Sequence, residues 1–145
     1  EVADRYEREH GVQDNTVVIG ADTIVAYGAE IMGKPKSRQH AIEMLSELQG
    51  HVHQVYTGVT LIIMTGKDRK FICFHEKTEV EMYPMTQAQI EAYVFTGEPM
   101  DKAGAYAIQG KCAAYIKGIR GEYNNVVGLP IAKLSQELSK AGITV

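Results

Sequence analysis

The stretch from residue 51 to residue 82 constrains this chain most. Val52, Val55, Val59, Leu61, Ile62 and Ile63 give residues 51–65 a strand character, Gly66-Lys67-Asp68 supplies a turn, and residues 71–82 return to the β pattern. A long hairpin of this kind is at best marginal in water alone, so its apolar face has to be covered by further elements. Helical periodicity on either side provides the cover. Ala41, Met44, Leu45 and Leu48 fall on one face of a predicted helix over 38–49, with Ser37 as its cap and Gly50 as its stop. Thr86 opens a second helix to about residue 94. Pro130 suits the first position of a terminal helix that runs to about residue 140, with Gly142 beyond its end.

The remaining segments complete a mixed order of helix and strand. Residues 1–10 read as the last turns of a helix with Val2, Ala3 and Tyr6 on one face and Gly11 as the stop. Residues 16–19 and 23–25 are β-branched and apolar, which predicts a buried strand with Asp22 in its middle or at its end. A buried carboxylate loses hydration worth several kcal/mol, so such an acid calls for a cation, a metal or a proton. Residues 113–119 are the last strand candidate, Asn124-Asn125 marks a turn, and residues 98–110 are polar and Gly-containing without a regular period. No repeat, low-complexity tract or Pro-rich linker divides the chain. The expectation is an α/β fold: a single domain with a mixed β-sheet flanked by helices.

Composition narrows the function. At 145 residues the chain fits one domain, and with 45% hydrophobic and 23% charged residues it is neither a disordered tail nor a coiled coil. The formal charge of −3 gives no general field for nucleic acid or anionic lipid, whereas a single triphosphate needs only a few lysines or backbone N–H groups in one cleft. The longest apolar run, near 59–64, falls far short of the roughly 20 residues of a membrane-spanning helix, so a soluble protein is expected. Cys73 and Cys112 show neither metal-site spacing nor a disulfide framework, which fits a reducing cytoplasm. The first residue is Glu and residues 1–10 are too charged for a secretory signal, so a further segment is expected upstream.

Several groupings could carry chemistry. Gly20-Ala21-Asp22-Thr23 on a strand is followed by Gly33-Lys34-Pro35 in a loop, so that Asp22 could engage a metal or water while Lys34 engages a phosphate; an Asp22–Lys34 salt bridge is the structural alternative. His51 and His53, at i and i+2, would share one face of a strand and could offer two nitrogens to a metal, or be hydrogen-bonded to neighbours. Both cysteines sit in apolar, strand-like surroundings typical of inert thiols. Glu98, Asp101 and Lys102 cluster near flexible backbone, either as solvated loop charges or as site residues, and Gln109 beside Gly110 could present its amide to a base edge. No Walker or dinucleotide-binding glycine fingerprint is present.

Taken together, these segments resemble a known family. Gly20-Ala21-Asp22-Thr23-Ile24-Val25, Gly33-Lys34-Pro35, the 41–48 helix leading to Gly50, and His53-Gln54-Val55-Tyr56-Thr57-Gly58-Val59 are similar to the blocks of the Maf family of nucleoside triphosphate pyrophosphatases, the septum-formation Maf-like proteins. Glu98-Pro99-Met100-Asp101-Lys102-Ala103-Gly104-Ala105-Tyr106, Ile108-Gln109-Gly110 and Val127-Gly128-Leu129-Pro130 follow in the family's order, so the resemblance runs through nearly the whole chain. It implies an inosine-triphosphatase-like (Maf/Ham-type) architecture and a house-cleaning hydrolase that converts a nucleoside triphosphate to the monophosphate and pyrophosphate with a divalent cation, Mg or Mn. It puts Asp22 at the proton-acceptor and metal position, Lys34 and Lys102 at substrate phosphates, and Thr23 and Gln109 at positions linked to base selection. The Ile-Gln-Gly form resembles the branch acting on dTTP and UTP; the branch acting on 7-methylated GTP departs from Gln there. The family also implies a homodimer, and its name leaves open a non-catalytic nucleotide-binding role in cell division. Its phosphate-gripping Ser-Pro-Arg-Arg-like loop is expected upstream of Glu1, which would make residues 1–145 an N-terminally incomplete domain.

Overall fold

The computed structural model describes residues 1–11 and 15–144. In chain order the elements are α1 (Val2–His10), β1 (Thr16–Tyr27), β2 (Glu30–Met32), α2 (Arg38–Leu48), β3 (Val52–Thr65), β4 (Asp68–Met82), α3 (Gln87–Phe95), β5 (Ile116–Arg120), α4 (Tyr123–Val127) and α5 (Ile131–Lys140). Three short 3₁₀ turns, Glu98–Asp101, Ala103–Ala105 and Lys111–Tyr115, lie between α3 and β5. The sheet has the order β2-β1-β3-β4-β5. β2 pairs antiparallel with β1 through Val25–Met32, Ala26–Ile31 and Tyr27–Glu30, and β5 pairs antiparallel with the end of β4 from Glu79–Arg120 to Met82–Ile116. The α/β class read from the sequence is the class observed.

Two compact units emerge. One comprises Glu1–Asp22 and Gly58–His75; the other comprises Thr23–Thr57 and Glu76–Val145. In the first, β3 buries Val59, Leu61 and Met64, and α1 buries only Ala3, while Val2 is left 58% exposed. The expected apolar face of α1 is therefore mostly solvated. What ties α1 down is Arg69 on β4, whose guanidinium donates to the carboxylates of Asp4, at 2.5 Å, and Glu7.

The second unit holds the continuous core. Val25, Met32, Ala41, Met44, Leu45, Leu48, Val55, Val80, Met82, Ile90, Val94 and Tyr106 are buried against one another. Burial alternates along β3, with His53, Val55 and Thr57 facing inward, as the two-residue period of a strand requires. α2 starts where Ser37 accepts the His40 N–H, and α3 starts in a reciprocal capping box between Thr86 and Gln89.

Three local expectations are corrected. Residues 111–115 form a 3₁₀ turn, so the last strand begins only at Ile116. Asn124 and Asn125 lie inside α4 rather than at a turn. Asp22 and its neighbours Gly20 and Ala21 are exposed, so this carboxylate keeps its hydration and needs no compensating partner. No helix among the described residues is long and apolar enough to cross a membrane.

Candidate functional site

The segment between α3 and β5 folds into tight turns because its glycines allow it. Gly104 has φ +68, and a Cβ there would come within 2.8 Å of Val25 Cγ2, so only Gly lets this backbone lie on β1. Its N–H donates to the Gly33 carbonyl at 3.1 Å. That bond joins the Gly33-Lys34-Pro35 loop to the segment carrying Lys102. The next residue, Ala105, is fully buried at φ +60, a conformation that costs a non-glycine residue on the order of 1 kcal/mol or more and that the packing around it imposes.

The two loop lysines share an acid. Lys102 Nζ donates to Asp101 Oδ1 at 2.9 Å, and this bond chiefly, with the nearby charge of Lys34 adding to it, holds the Asp101 carboxyl below its ordinary range. Asp101 is mostly exposed, so water screens the pair and leaves Lys102 available to an incoming anion.

Lys102 also lines an open cleft of about 310 Å³ together with Tyr106, Ile108, Gln109, Val126 and Val127. Its walls combine aliphatic and aromatic side chains with the Glu98 carboxylate, Gln109 is exposed at its surface, and Lys102 adds a cation to the rim. An amide that both donates and accepts beside an apolar surface, with an ammonium group in the same cleft, suits a flat heterocycle attached to an anion.

Thr23 reaches the other border of this cleft. Its hydroxyl lies 2.9 Å from that of Thr57 and 3.4 Å from the carbonyl of Gly128, the residue after Val127. Thr57 in turn donates to the Asn125 carbonyl at 3.2 Å, and Asn125 Nδ2 donates to Val55 O and Thr78 Oγ1 at 3.1 Å each. The chain of bonds ends where Thr78 donates to Glu122 O at 2.8 Å and the Glu122 carboxylate accepts the Ala132 N–H of α5 at 2.7 Å. A polar ladder, fully buried at Thr57, Thr78 and Asn125, thus fixes residues 125–128 against β1, β3 and β4. Sequence reasoning missed Asn125; an Asn four residues into a Gly-flanked segment reads as a turn former, and only its burial reveals otherwise.

Among the sequence candidates, Thr23, Lys34, Lys102 and Gln109 all belong to the unit that holds the cleft, and contacts link each of their segments to it. Asp22 lies exposed on β1 immediately before Thr23. The two histidines do not form a pair. His51 precedes β3 and packs beside Tyr27 with ring centroids 5.5 Å apart, whereas His53 is buried with Nε2 2.7 Å from the Tyr106 hydroxyl. Burial pushes His53 down to about 4, so it is neutral near pH 7. Among the described residues no group of three or more His, Cys, Asp or Glu side chains is arranged to hold a metal. Cys112 is buried beneath the same turns, where desolvation chiefly raises its thiol to about 12; Cys73 is exposed on β4 rather than buried.

Glu98 is neither a free loop charge nor an open acid. Burial alone would raise its carboxyl, but the Tyr93 hydroxyl and the N–H groups of Lys111 and Cys112 outweigh that and hold it below the ordinary carboxylate range.

The chain is similar to known proteins over nearly all its length. The family model described as Maf-like protein matches residues 1–141. A protein of Agathobacter rectalis named dTTP/UTP pyrophosphatase is 51% identical over 144 residues, covering 97% of this chain and 70% of its own. Relatives with the same name from Pelotomaculum thermopropionicum and Lachnoclostridium phytofermentans are 49% and 48% identical, covering 93% and 99% of this chain and 70% of their own lengths. With a family model matched over residues 1–141 and relatives about half identical over nearly all its length, the chain belongs to the Maf-like protein family.

Proposed function

We propose that this protein hydrolyses dTTP and UTP to the nucleoside monophosphate and pyrophosphate. The observation that carries the reading is the cleft in which Gln109 and Lys102 meet, an amide suited to a base and a cation suited to a phosphate on one apolar surface. Relatives about half identical to the chain over nearly all its length, and named for this activity, support the choice of pyrimidine triphosphates.

In this reading the base lies against Ile108 and Val127 with the Gln109 amide on its polar edge, while Thr23 holds Gly128 and so the far wall of the cleft. Lys34 and Lys102 offset the charge that grows on the phosphate oxygens as the transition state forms. Asp22 acts as the proton acceptor: water gives up a proton to its carboxylate as the water oxygen bonds to the α-phosphorus, and the bond from that phosphorus to the β-phosphate oxygen breaks. Pyrophosphate leaves with those electrons.

A divalent cation fits this donor set in one form. A single exposed carboxylate, Asp22, with no cage of His, Cys, Asp or Glu side chains among the described residues, suits an ion such as Mg²⁺ that is held through one or two carboxylates and the substrate's phosphates. When bound, it would polarise the phosphoryl group and neutralise its charge.

The test is pyrophosphate release from dTTP, UTP, GTP and 7-methyl-GTP with Mg²⁺ or Mn²⁺ present. Preferential turnover of dTTP and UTP is expected. A preference for 7-methyl-GTP would move the protein to the other branch of the family, and binding without turnover of any of the four would leave only a nucleotide-binding role.

A further inference from the structure

We infer that Tyr93 and Glu98 form a clamp that positions the Gln109 amide, making them positioning residues for base selection; this rests on the proposed nucleotide reading of the cleft. Gln109 sits in the loop 107–111, and the clamp grips that loop on both sides of it. On one side the Tyr93 hydroxyl accepts the Ala107 N–H at 3.0 Å. On the other, both Glu98 carboxylate oxygens accept the Lys111 N–H at 3.1 Å. The two grips are neighbours, because the Tyr93 hydroxyl lies beside the Glu98 carboxylate and helps to hold it below its ordinary range. Tyr93 is itself anchored in the core on α3, at 4% exposure, so the loop is referenced to a rigid helix.

Gly110 completes the device. A Cβ at that position would overlap the Glu98 carboxylate, so the close approach of Glu98 to the loop depends on Gly beside Gln109. Between the grips, the Gly110 N–H donates to the Ala107 carbonyl at 3.2 Å and closes the turn that turns Gln109 outward. A base is discriminated by an amide only if that amide is held in place, since a mobile one can follow the wrong base. The clamp supplies that restriction through the loop backbone, at the N–H groups of Ala107 and Lys111.

The experiment is steady-state kinetics of Glu98→Gln with dTTP, UTP, dCTP and GTP, with melting followed by circular dichroism. Gln keeps the shape, but exchanges one accepting oxygen for a donor that faces backbone N–H groups. The ratio of kcat/KM for dTTP over dCTP should fall about tenfold, mainly through a higher KM for dTTP. Tyr93→Phe should shift the ratio in the same direction. Gly110→Ala should do so too, and its double variant with Glu98→Gln should be no worse than the worse single one, because both break one contact. A purely structural role would lower kcat for all four nucleotides by one factor with KM unmoved, and that result overturns the inference. Should Glu98→Gln fail to fold, the same ratio measured on Tyr93→Phe decides. If the wild type turns over none of the four, the hydrolase reading fails, and calorimetric affinities for dTTP and dCTP then test the clamp: an unchanged affinity ratio in Tyr93→Phe, or no binding by the wild type, overturns it.

Discussion

Acidification should destabilise this protein through His53 before most of its carboxylates protonate. The imidazole is fully buried, touches the Tyr106 hydroxyl through Nε2, and has no partner at Nδ1. Burial is what lowers it from 6.5 to about 4. Because the folded value is the lower one, the unfolded chain takes up the proton first; the contribution is complete above about pH 6.5 and is lost as pH falls from there toward 4. At 1.36 kcal/mol per pKa unit, a gap of 6.5 to about 4 is worth about 3 kcal/mol, a large share of the 5 to 15 kcal/mol by which domains are ordinarily stable. Urea unfolding followed by circular dichroism at intervals from pH 8 to pH 4.5 measures this directly. His53→Gln, whose amide can still meet the Tyr106 hydroxyl, removes the titration and should flatten the decline between pH 6.5 and 4.5. Glu98, held below its ordinary range, loses its own contribution only at lower pH and is common to both proteins. Parallel curves for wild type and His53→Gln would refute the reasoning, as would His53 ring resonances that titrate above pH 5.5 in the folded state.

Other consequences are equally direct. Asp22→Asn should reduce pyrophosphate release from dTTP by about a hundredfold to ten-thousandfold, the usual span for a lost general base, while melting stays put because the side chain is exposed; near-normal turnover would remove Asp22 from its proposed role. Gln109→Ala should narrow the preference for dTTP and UTP over GTP by about 1 to 3 kcal/mol, as when an amide contact is forfeited, and an unchanged preference would refute the base-reading assignment. Thiol titration of the native protein should find Cys73 reactive and Cys112 silent until unfolding, since only the first is exposed and the second carries a thiol raised to about 12; two fast thiols would contradict the burial of Cys112.

How much was legible in the sequence follows from how local each determinant is. The hairpin of β3 and β4, and helices α2, α3 and α5, announce themselves in apolar period and in caps only three residues long, Ser37 with His40 and Thr86 with Gln89. Motif resemblance likewise singled out Thr23, Lys34, Lys102 and Gln109 because each lies in a short contiguous block. β2 escaped notice since three residues, two of them exposed, leave no pattern. Asp22 was expected to be buried because its neighbours are apolar, yet a run of apolar letters says nothing about whether another element covers that stretch of strand.

The remaining misses share a different cause, a polar side chain satisfied by a partner far away in the chain. Residues 111–115 carry Cys, Ala and Tyr in a strand-like row, but the Glu98 carboxylate, 13 residues earlier, accepts the Lys111 N–H and starts a 3₁₀ turn instead. Asn125 has the propensity of a turn residue, and it joins a helix because its amide is drawn to Val55 and Thr78, 70 and 47 residues away. For His53 the sequence left a metal pair and a hydrogen-bonded histidine both open, and only the Tyr106 hydroxyl, 53 residues away, decides for the second. Each of these bonds lies under or beside the cleft, where the fold gives up easily read apolar packing for polar groups bonded to distant partners. The candidate site is therefore legible in its proposed recognition residues and hidden in their supports. By that logic the residues most worth altering next are not the ones a motif names but those, such as Glu98 and Asn125, whose partners only the folded chain reveals.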